Sequence, residues 1–213
     1  MALRPYKTLI KRADDSFIIN KSRFIGYGCP CETEEEALAF LASIRAKHKD
    51  ATHNCYAYII GPNMGVMRYS DDGEPGGTAG MPIIEVMKAR GVVNCAVVVT
   101  RYFGGILLGA GGLVRAYAQG SKTALDAAGV VVMEKSACYL VEVDYSTWQR
   151  LEYFLRSAPV IVEHNEFGES VVCTLMVRVR DAEHLLSEIT RVTDGTAEIL
   201  PDDELYYPWP DEE

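Results

Sequence analysis

Two glycine-rich loops hold the residue types best suited to chemistry. The first is Asp71-Asp-Gly-Glu-Pro-Gly-Gly-Thr-Ala-Gly80, with four glycines, three carboxylates and one threonine. Glycines let backbone N–H groups come close to a ligand and adopt positive φ. A helix is expected to start directly after this loop, and helix starts attract anions. The carboxylates oppose a bare phosphate but suit a metal-bound phosphate, an amine or a basic partner. The second loop is Arg101-Tyr-Phe-Gly-Gly-Ile-Leu-Leu-Gly-Ala-Gly-Gly-Leu-Val-Arg115. Each arginine offers a planar fork that grips phosphate or carboxylate through two bonds. No Gly-Lys-Ser/Thr ends this loop, so it is not a P-loop, and it lacks a dinucleotide fingerprint with its acidic partner.

The candidate ligand-binding residues are therefore His53, Asp71, Asp72, Glu74, Gly76, Gly77, Thr78, Arg101, Tyr102, Gly104, Gly105, Gly109, Gly111, Gly112 and Arg115. His53 joins them because its strand leads toward the first loop. Tyr102 and Phe103 offer faces on which bases stack. An architectural alternative stands beside this. The glycines then serve tight turns and helix–sheet packing, and Arg101 pairs with Asp71 or Asp72 in a buried scaffold. Catalytic residues are not assigned, because His48, His53, His164 and His184 lack any local partner pattern. Cys29-Pro-Cys31 and His53-Asn-Cys55 contain soft-ligand types, but no Cys-x-x-Cys pair is present. No metal site and no cofactor are expected.

The elements that must position these loops follow from periodicity. Residues 6–12 and 17–28 read as strands separated by a turn at Asp14-Asp15. Thr33 to Glu36 forms a capping box that opens a helix with Ala37, Phe40, Leu41 and Ile44 inward. Residues 54–60 and 65–70 form a hairpin. A helix containing Pro82 ends before Gly91. Residues 92–100 are a continuous apolar run, as in a strand buried on both faces. A helix over 112–128 places Leu113, Tyr117, Ser121, Ala124 and Ala128 on one face. The second half reads strand, helix, strand, strand, helix, strand. Ser146 is expected to cap its first helix, with Trp148, Leu151 and Leu155 inward. Residues 167–169 make a hairpin turn, and Asp181 caps the second helix. This βαββαβ order is the split βαβ of a ferredoxin-like domain. The fold class is α+β, with domains at 1–133 and 134–201 and an acidic, loose tail at 202–213.

Length, at 213 residues, suits one large or two small domains. Charge divides unevenly: residues 1–135 carry a net +3 and residues 136–213 a net −12. An acidic chain is a poor general nucleic-acid binder, but the basic first half suits local anion contact. The chain has no long apolar run for a membrane span and no apolar core after Met1 typical of a secretory signal. The cytoplasm is the expected location.

Thr52 to Tyr58, Ser70 to Gly80 and Val99 to Tyr117 resemble the YigZ/IMPACT family in content and order. The resemblance covers residues 16–128, and the remainder is similar to the extra C-terminal domain of bacterial members. It implies a first domain like the second domain of ribosomal protein S5. It implies a second domain like a C-terminal domain of elongation factor G. Eukaryotic members regulate translation through protein partners and carry an added N-terminal domain that is not expected in this chain. The resemblance therefore points to a binding protein that contacts RNA, the ribosome or a translation factor. A small-molecule hydrolase or phosphotransferase using both loops is the alternative.

Overall fold

The computed structural model describes residues 4–211. The chain divides into two compact units, one of residues 1–133 with 208–213 and the other of residues 134–207.

The first unit is built on a five-stranded sheet. Its strands are β2 (Ala13–Ile19), β3 (Ser22–Pro30), β4 (His53–Ile60), β5 (Val66–Ser70) and β6 (Cys95–Tyr102), in the order β2-β3-β6-β4-β5. All pairings are antiparallel. The short strand β1 (Tyr6–Leu9) pairs instead with the first residues of β7 (Val130–Val143). Helix α1 (Glu34–Lys47) covers one sheet face, packing Phe40, Leu41 and Ile44 with Tyr27, Tyr58 and Val98. Helices α2 (Gly80–Ala89) and α3 (Gly109–Ala128) cover the other, where Ile83 and Tyr117 pack with Phe24, Ala57 and Val99. The central strand β6 is thus buried on both faces, which explains its unbroken apolar sequence. Helix α3 lies unusually close to the sheet. A Cβ at Gly26 would fall 2.3 Å from the Gly120 carbonyl oxygen, and one at Gly120 would fall 2.7 Å from Val99. Only glycine permits that approach.

Local capping chemistry sets several element ends. Thr33 Oγ1 accepts from the Glu36 N–H at 3.2 Å, as the capping box requires. The return bond from the Glu36 carboxylate goes one residue further back, to the Glu32 N–H.

Three expectations for the first unit need correction. Asp14 and Asp15 lie inside β2, and the chain reverses at Asn20-Lys21, where φ is 46° and 64°. Asparagine tolerates that left-handed region, and two such residues make the hairpin turn that matches strand twist. The stretch 17–28 is therefore two strands, with Phe17 opposite Phe24. Helix α3 begins at Gly109, so its first turn contains the glycines expected in a loop.

The second unit holds most of β7, helix α4 (Tyr145–Leu155), β8 (Val160–Phe167), β9 (Val171–Arg178), helix α5 (Ala182–Val192) and most of β10 (Glu198–Pro210). Its sheet order, β10-β7-β9-β8, is the ferredoxin-like order of a split βαβ. Leu151, Leu155, Leu185 and Ile189 from the helices pack on Val141, Cys173 and Leu175. Asp144, not Ser146, caps α4: its carboxylate accepts from the Thr147 N–H at 2.7 Å. Asp181 precedes α5 but makes no capping hydrogen bond.

The expected loose tail is instead part of β10, which pairs with β7 and runs to Pro210. Tyr207 donates to Glu163 Oε1 at 2.6 Å, Glu204 pairs with Lys135, and Trp209 is buried. Alternate residues of a strand face opposite sides, so acidic residues are carried without preventing pairing.

Candidate functional site

One row of side chains crosses the sheet beneath α3. Phe24 on β3, Arg101 on β6 and His53 on β4 are cross-strand partners, so they share one face. Above this row the loop 71–80 brings in Glu74, and α3 brings in Tyr117. Arg101 Nη1 donates to Glu74 Oε1 at 2.7 Å, and the Tyr117 hydroxyl donates to the same oxygen at 2.7 Å. The Arg101 and Glu74 side chains are only 5% and 3% exposed. Burying charges at this depth is offset by pairing them, although Arg101 Nε is left without a hydrogen-bond partner. The guanidinium also lies over Phe24 and Phe103, 5.5 and 5.3 Å from the ring centres. Burial pushes the Tyr117 hydroxyl pKa far up, and the nearby Cys55 and Glu74 add to that, so the phenol stays a neutral donor.

The remaining carboxylates of the loop are committed to its shape. Asp71 Oδ1 accepts from the N–H groups of Ala79 and Gly80 at 3.0 and 2.8 Å, and Oδ2 from Gly77 at 2.8 Å. Desolvation alone would raise its pKa. The three backbone donors outweigh that and hold it below the usual carboxylate range. Asp72 takes the Asn54 N–H at 2.7 Å and Arg45 at 3.2 Å. The three carboxylates do not converge on a common point. Among the described residues no group of three His, Cys, Asp or Glu side chains is arranged to hold a metal ion. The pairing expected between Arg101 and Asp71 or Asp72 is made by Glu74 instead.

The row opens onto a cleft of about 380 Å³. Its floor includes His53, Glu74 and Arg101, and its walls are Pro75, Phe103, Leu107, Leu108, Ala110 and Leu113. Leu107 is 84% exposed, and Phe103 and Ile106 are also exposed. One short loop thus exposes three large apolar side chains together at the cleft's edge. The ion pair is buried, and it floors an apolar cleft.

The other candidate residues divide around this geometry. Gly109 lines the cleft at the start of α3. Thr78 is buried and donates to the Pro75 carbonyl at 2.6 Å, closing the loop turn. Gly76, Gly77 and Gly105 are exposed, with open space where a side chain would begin. Gly104 is architectural: a Cβ there would sit 2.1 Å from the Lys21 carbonyl carbon, and its N–H donates to Ser22 Oγ at 3.1 Å. A Cβ at Gly112 would lie 3.0 Å from that of Leu108, and one at Gly111 only near Arg115. Arg115 is exposed and forms no ion pair among the described residues. Tyr102 follows Arg101 on β6 and so faces the opposite side. There its hydroxyl donates to Asp50 at 3.2 Å and contacts His48 Nδ1 at 2.8 Å. It is not part of the cleft. Sequence reasoning missed Tyr117 as a site residue, because its helical spacing reads as core, and it missed Ser22 and the leucine walls.

Residues 20–125 match the Impact N-terminal domain, and residues 141–196 match a domain of unknown function, DUF1949. The chain is 38% identical over 197 residues to the IMPACT family member YvyE of Bacillus subtilis (strain 168), covering 92% of this chain and 91% of that protein. It is 32% identical to the IMPACT family member YigZ of Escherichia coli (strain K12), covering 85% and 90%. Protein IMPACT of Mus musculus is 36% identical over 94 residues, 42% of this chain and 29% of that protein. A solved structure described as "Crystal structure of an hypothetical protein" superposes with a TM-score of 0.59 at 29% identity, covering 95% of this chain and 99% of that one.

Proposed function

This chain belongs to the YigZ/IMPACT family, and from that premise we propose that it is a cytoplasmic binding protein linked to the regulation of translation. It docks a protein partner, a ribosomal protein or a translation factor, on the cleft of its first unit. The observation that carries this is the buried Arg101–Glu74 pair on the cleft floor. An arginine already matched by a carboxylate is a poor phosphate cradle, whereas apolar walls around a charge-paired floor suit a polypeptide. Arg115 remains as an exposed cation for rim contact. The alternative, a small-molecule hydrolase or phosphotransferase, draws support from the size of the cleft. It is the weaker proposal because Asp71, Asp72 and Glu74 each hold separate partners.

Co-sedimentation with ribosomes and purified translation factors tests the proposal, with and without RNase. The parent is compared with a Phe103→Ser/Leu107→Ser variant. An RNase-resistant association that the variant loses about tenfold supports docking at the cleft. An RNase-sensitive association that the variant retains would replace the protein partner with RNA.

A further inference from the structure

Two acceptors on the cleft floor, His53 Nε2 and Glu74 Oε2, have no donor within hydrogen-bond distance, while one donor, Arg101 Nε, is buried without a partner. His53 Nδ1 lies 2.8 Å from the Asp72 carbonyl oxygen, which can only accept, so Nδ1 bears the proton. In the neutral ring Nε2 then presents a lone pair, and it sits 3.8 Å from Glu74 Oε2. That separation is too long for a direct hydrogen bond. Both donors that reach Glu74, from Arg101 and Tyr117, go to Oε1. Oε2 accepts no hydrogen bond among the described residues, although the side chain is only 3% exposed. Oε2 is not itself fully buried and opens onto the cleft, where an incoming donor can reach it. A donor placed about 3 Å from both atoms satisfies them together.

The opposite wall has the opposite polarity. Helix α3 starts at Gly109 after Leu108, and no side chain caps it. Its first N–H groups are therefore orphan donors at the positive end of the helix. Gly109 and Ala110 line the cleft. Between the acceptors and these donors lie the apolar walls.

We infer that the cleft binds the amino terminus of a polypeptide whose first residue is apolar. The α-ammonium bridges His53 Nε2 and Glu74 Oε2. The first side chain packs on Leu107, Leu113 and Phe103. The first carbonyl faces the open start of α3. A lysine ε-ammonium satisfies only the first of these contacts, because no carbonyl stands beside it. Glu74 is the carboxylate that lines the cleft, and its Oε2 lies on the side away from Arg101 and Tyr117, 3.8 Å from His53 Nε2. This inference rests on the proposal that the cleft is the docking site.

Titration of the ¹⁵N-labelled full chain, followed by amide chemical shifts, tests it. The probes are Leu-Gly-Gly, N-acetyl-Leu-Gly-Gly, free leucine and N-acetyl-lysinamide. Leu-Gly-Gly is expected to shift the amides of Gly73, Phe103, Gly109 and Ala110 in a saturable way. N-acetylation should weaken binding at least about tenfold, because it removes a charge-assisted donor. His53→Leu should weaken it by a similar factor while leaving the Glu74–Arg101 pair intact. Leu107→Ser, in an exposed loop, should weaken it severalfold and serves if His53→Leu does not fold. Equal binding of the acetylated peptide, binding of free leucine alone, lysinamide binding as tight as Leu-Gly-Gly, or no shift at these amides would each overturn the inference. If the peptides fail while ribosome or factor association still depends on Phe103 and Leu107, docking stands and the amino-terminal ligand falls. If both fail, both proposals fall.

Discussion

Replacing Arg101 by methionine removes the guanidinium but keeps an unbranched side chain on β6. The parent pair has a 2.7 Å contact between side chains 5% and 3% exposed. In Arg101→Met the Glu74 carboxylate keeps a single donor, Tyr117, within a buried floor. Breaking a buried pair from one side costs about 3–5 kcal/mol, because the remaining charge has lost its counter-charge. Loss of the Phe24 and Phe103 ring contacts adds roughly 0.5–1 kcal/mol. Adding Glu74→Leu removes the stranded charge. The double variant should recover part of the loss, leaving about 1–3 kcal/mol for the Tyr117 hydroxyl without its acceptor together with the lost ring contacts. Urea unfolding measures this, read through Trp209 fluorescence in a Trp148→Phe background so that the signal comes from the first unit. With slopes of about 1–3 kcal/mol/M the single variant shifts the midpoint by at least about 1 M. A single-variant loss below about 1 kcal/mol would mean that water screens the pair. A double variant no better than the single would mean that the loss comes from packing. Either result refutes the buried-pair account.

Three further outcomes are expected. Asp71→Asn should lose about 1–3 kcal/mol, since an amide nitrogen replaces one acceptor oxygen facing backbone N–H groups. The Asp71 pKa is lowered in the folded state, so its contribution is present above the unfolded value near 3.8 and is lost as pH falls through the folded one. The gap between parent and variant in urea midpoint should therefore narrow below about pH 4. Gly104→Ala should cost about 1–3 kcal/mol or prevent folding, because its Cβ meets the Lys21 backbone, whereas Gly76→Ala should stay within about 0.5 kcal/mol in the same urea assay. His48 is held below its ordinary pKa, first by desolvation and then by Lys47. The neutral ring is thus the folded form. Stability should fall as the solution is acidified below about pH 6.5, and His48→Gln should flatten that part of the urea-midpoint profile.

Much of the first unit was legible because its strands and helices follow simple periods. The buried face of α1 and the apolar run of β6 are where hydrophobic spacing puts them. The Asn20-Lys21 turn was not legible, because neither residue is glycine and the preceding Asp14-Asp15 pair is a stronger turn signal by composition. The end of the chain misled for a related reason. Acidic content reads as disorder, but Tyr207 and Trp209 anchor a strand whose carboxylates face outward. In the site, both loops announced themselves through glycine, arginine and carboxylate. Which carboxylate meets Arg101 did not, because a loop's fold, not its composition, decides which side chain turns inward. Asp71 is drawn away by the N–H groups of α2's start, and that leaves Glu74 to face the arginine. Tyr117 sits 43 residues from Glu74, and only the closing of α3 onto the sheet brings them together.

That closing also explains why a buried ion pair floors a binding cleft. A carboxylate free to rotate would turn toward whichever donor approached. Here Oε1 is locked by Arg101 and Tyr117, so the direction of Oε2 is set before any ligand arrives. His53 is locked in the same sense: its Nδ1–H is committed to the Asp72 carbonyl, so Nε2 has a fixed aim. Each lock comes from a different element: Arg101 from β6, Tyr117 from α3, His53 from β4, and the Asp72 carbonyl from the loop that Asp71 holds in place. Loosening the lock that Arg101 or Tyr117 provides should weaken capture without removing a ligand contact. Tyr117→Phe is the cleanest case, because it deletes one hydroxyl at the cleft floor that the proposed amino terminus does not touch. It should leave the chain folded, with a loss of about 0.5–1.5 kcal/mol in urea. It should also weaken Leu-Gly-Gly binding severalfold in the amide-shift titration. Unchanged peptide affinity in that variant would show that the locking of Glu74 is incidental to the cleft.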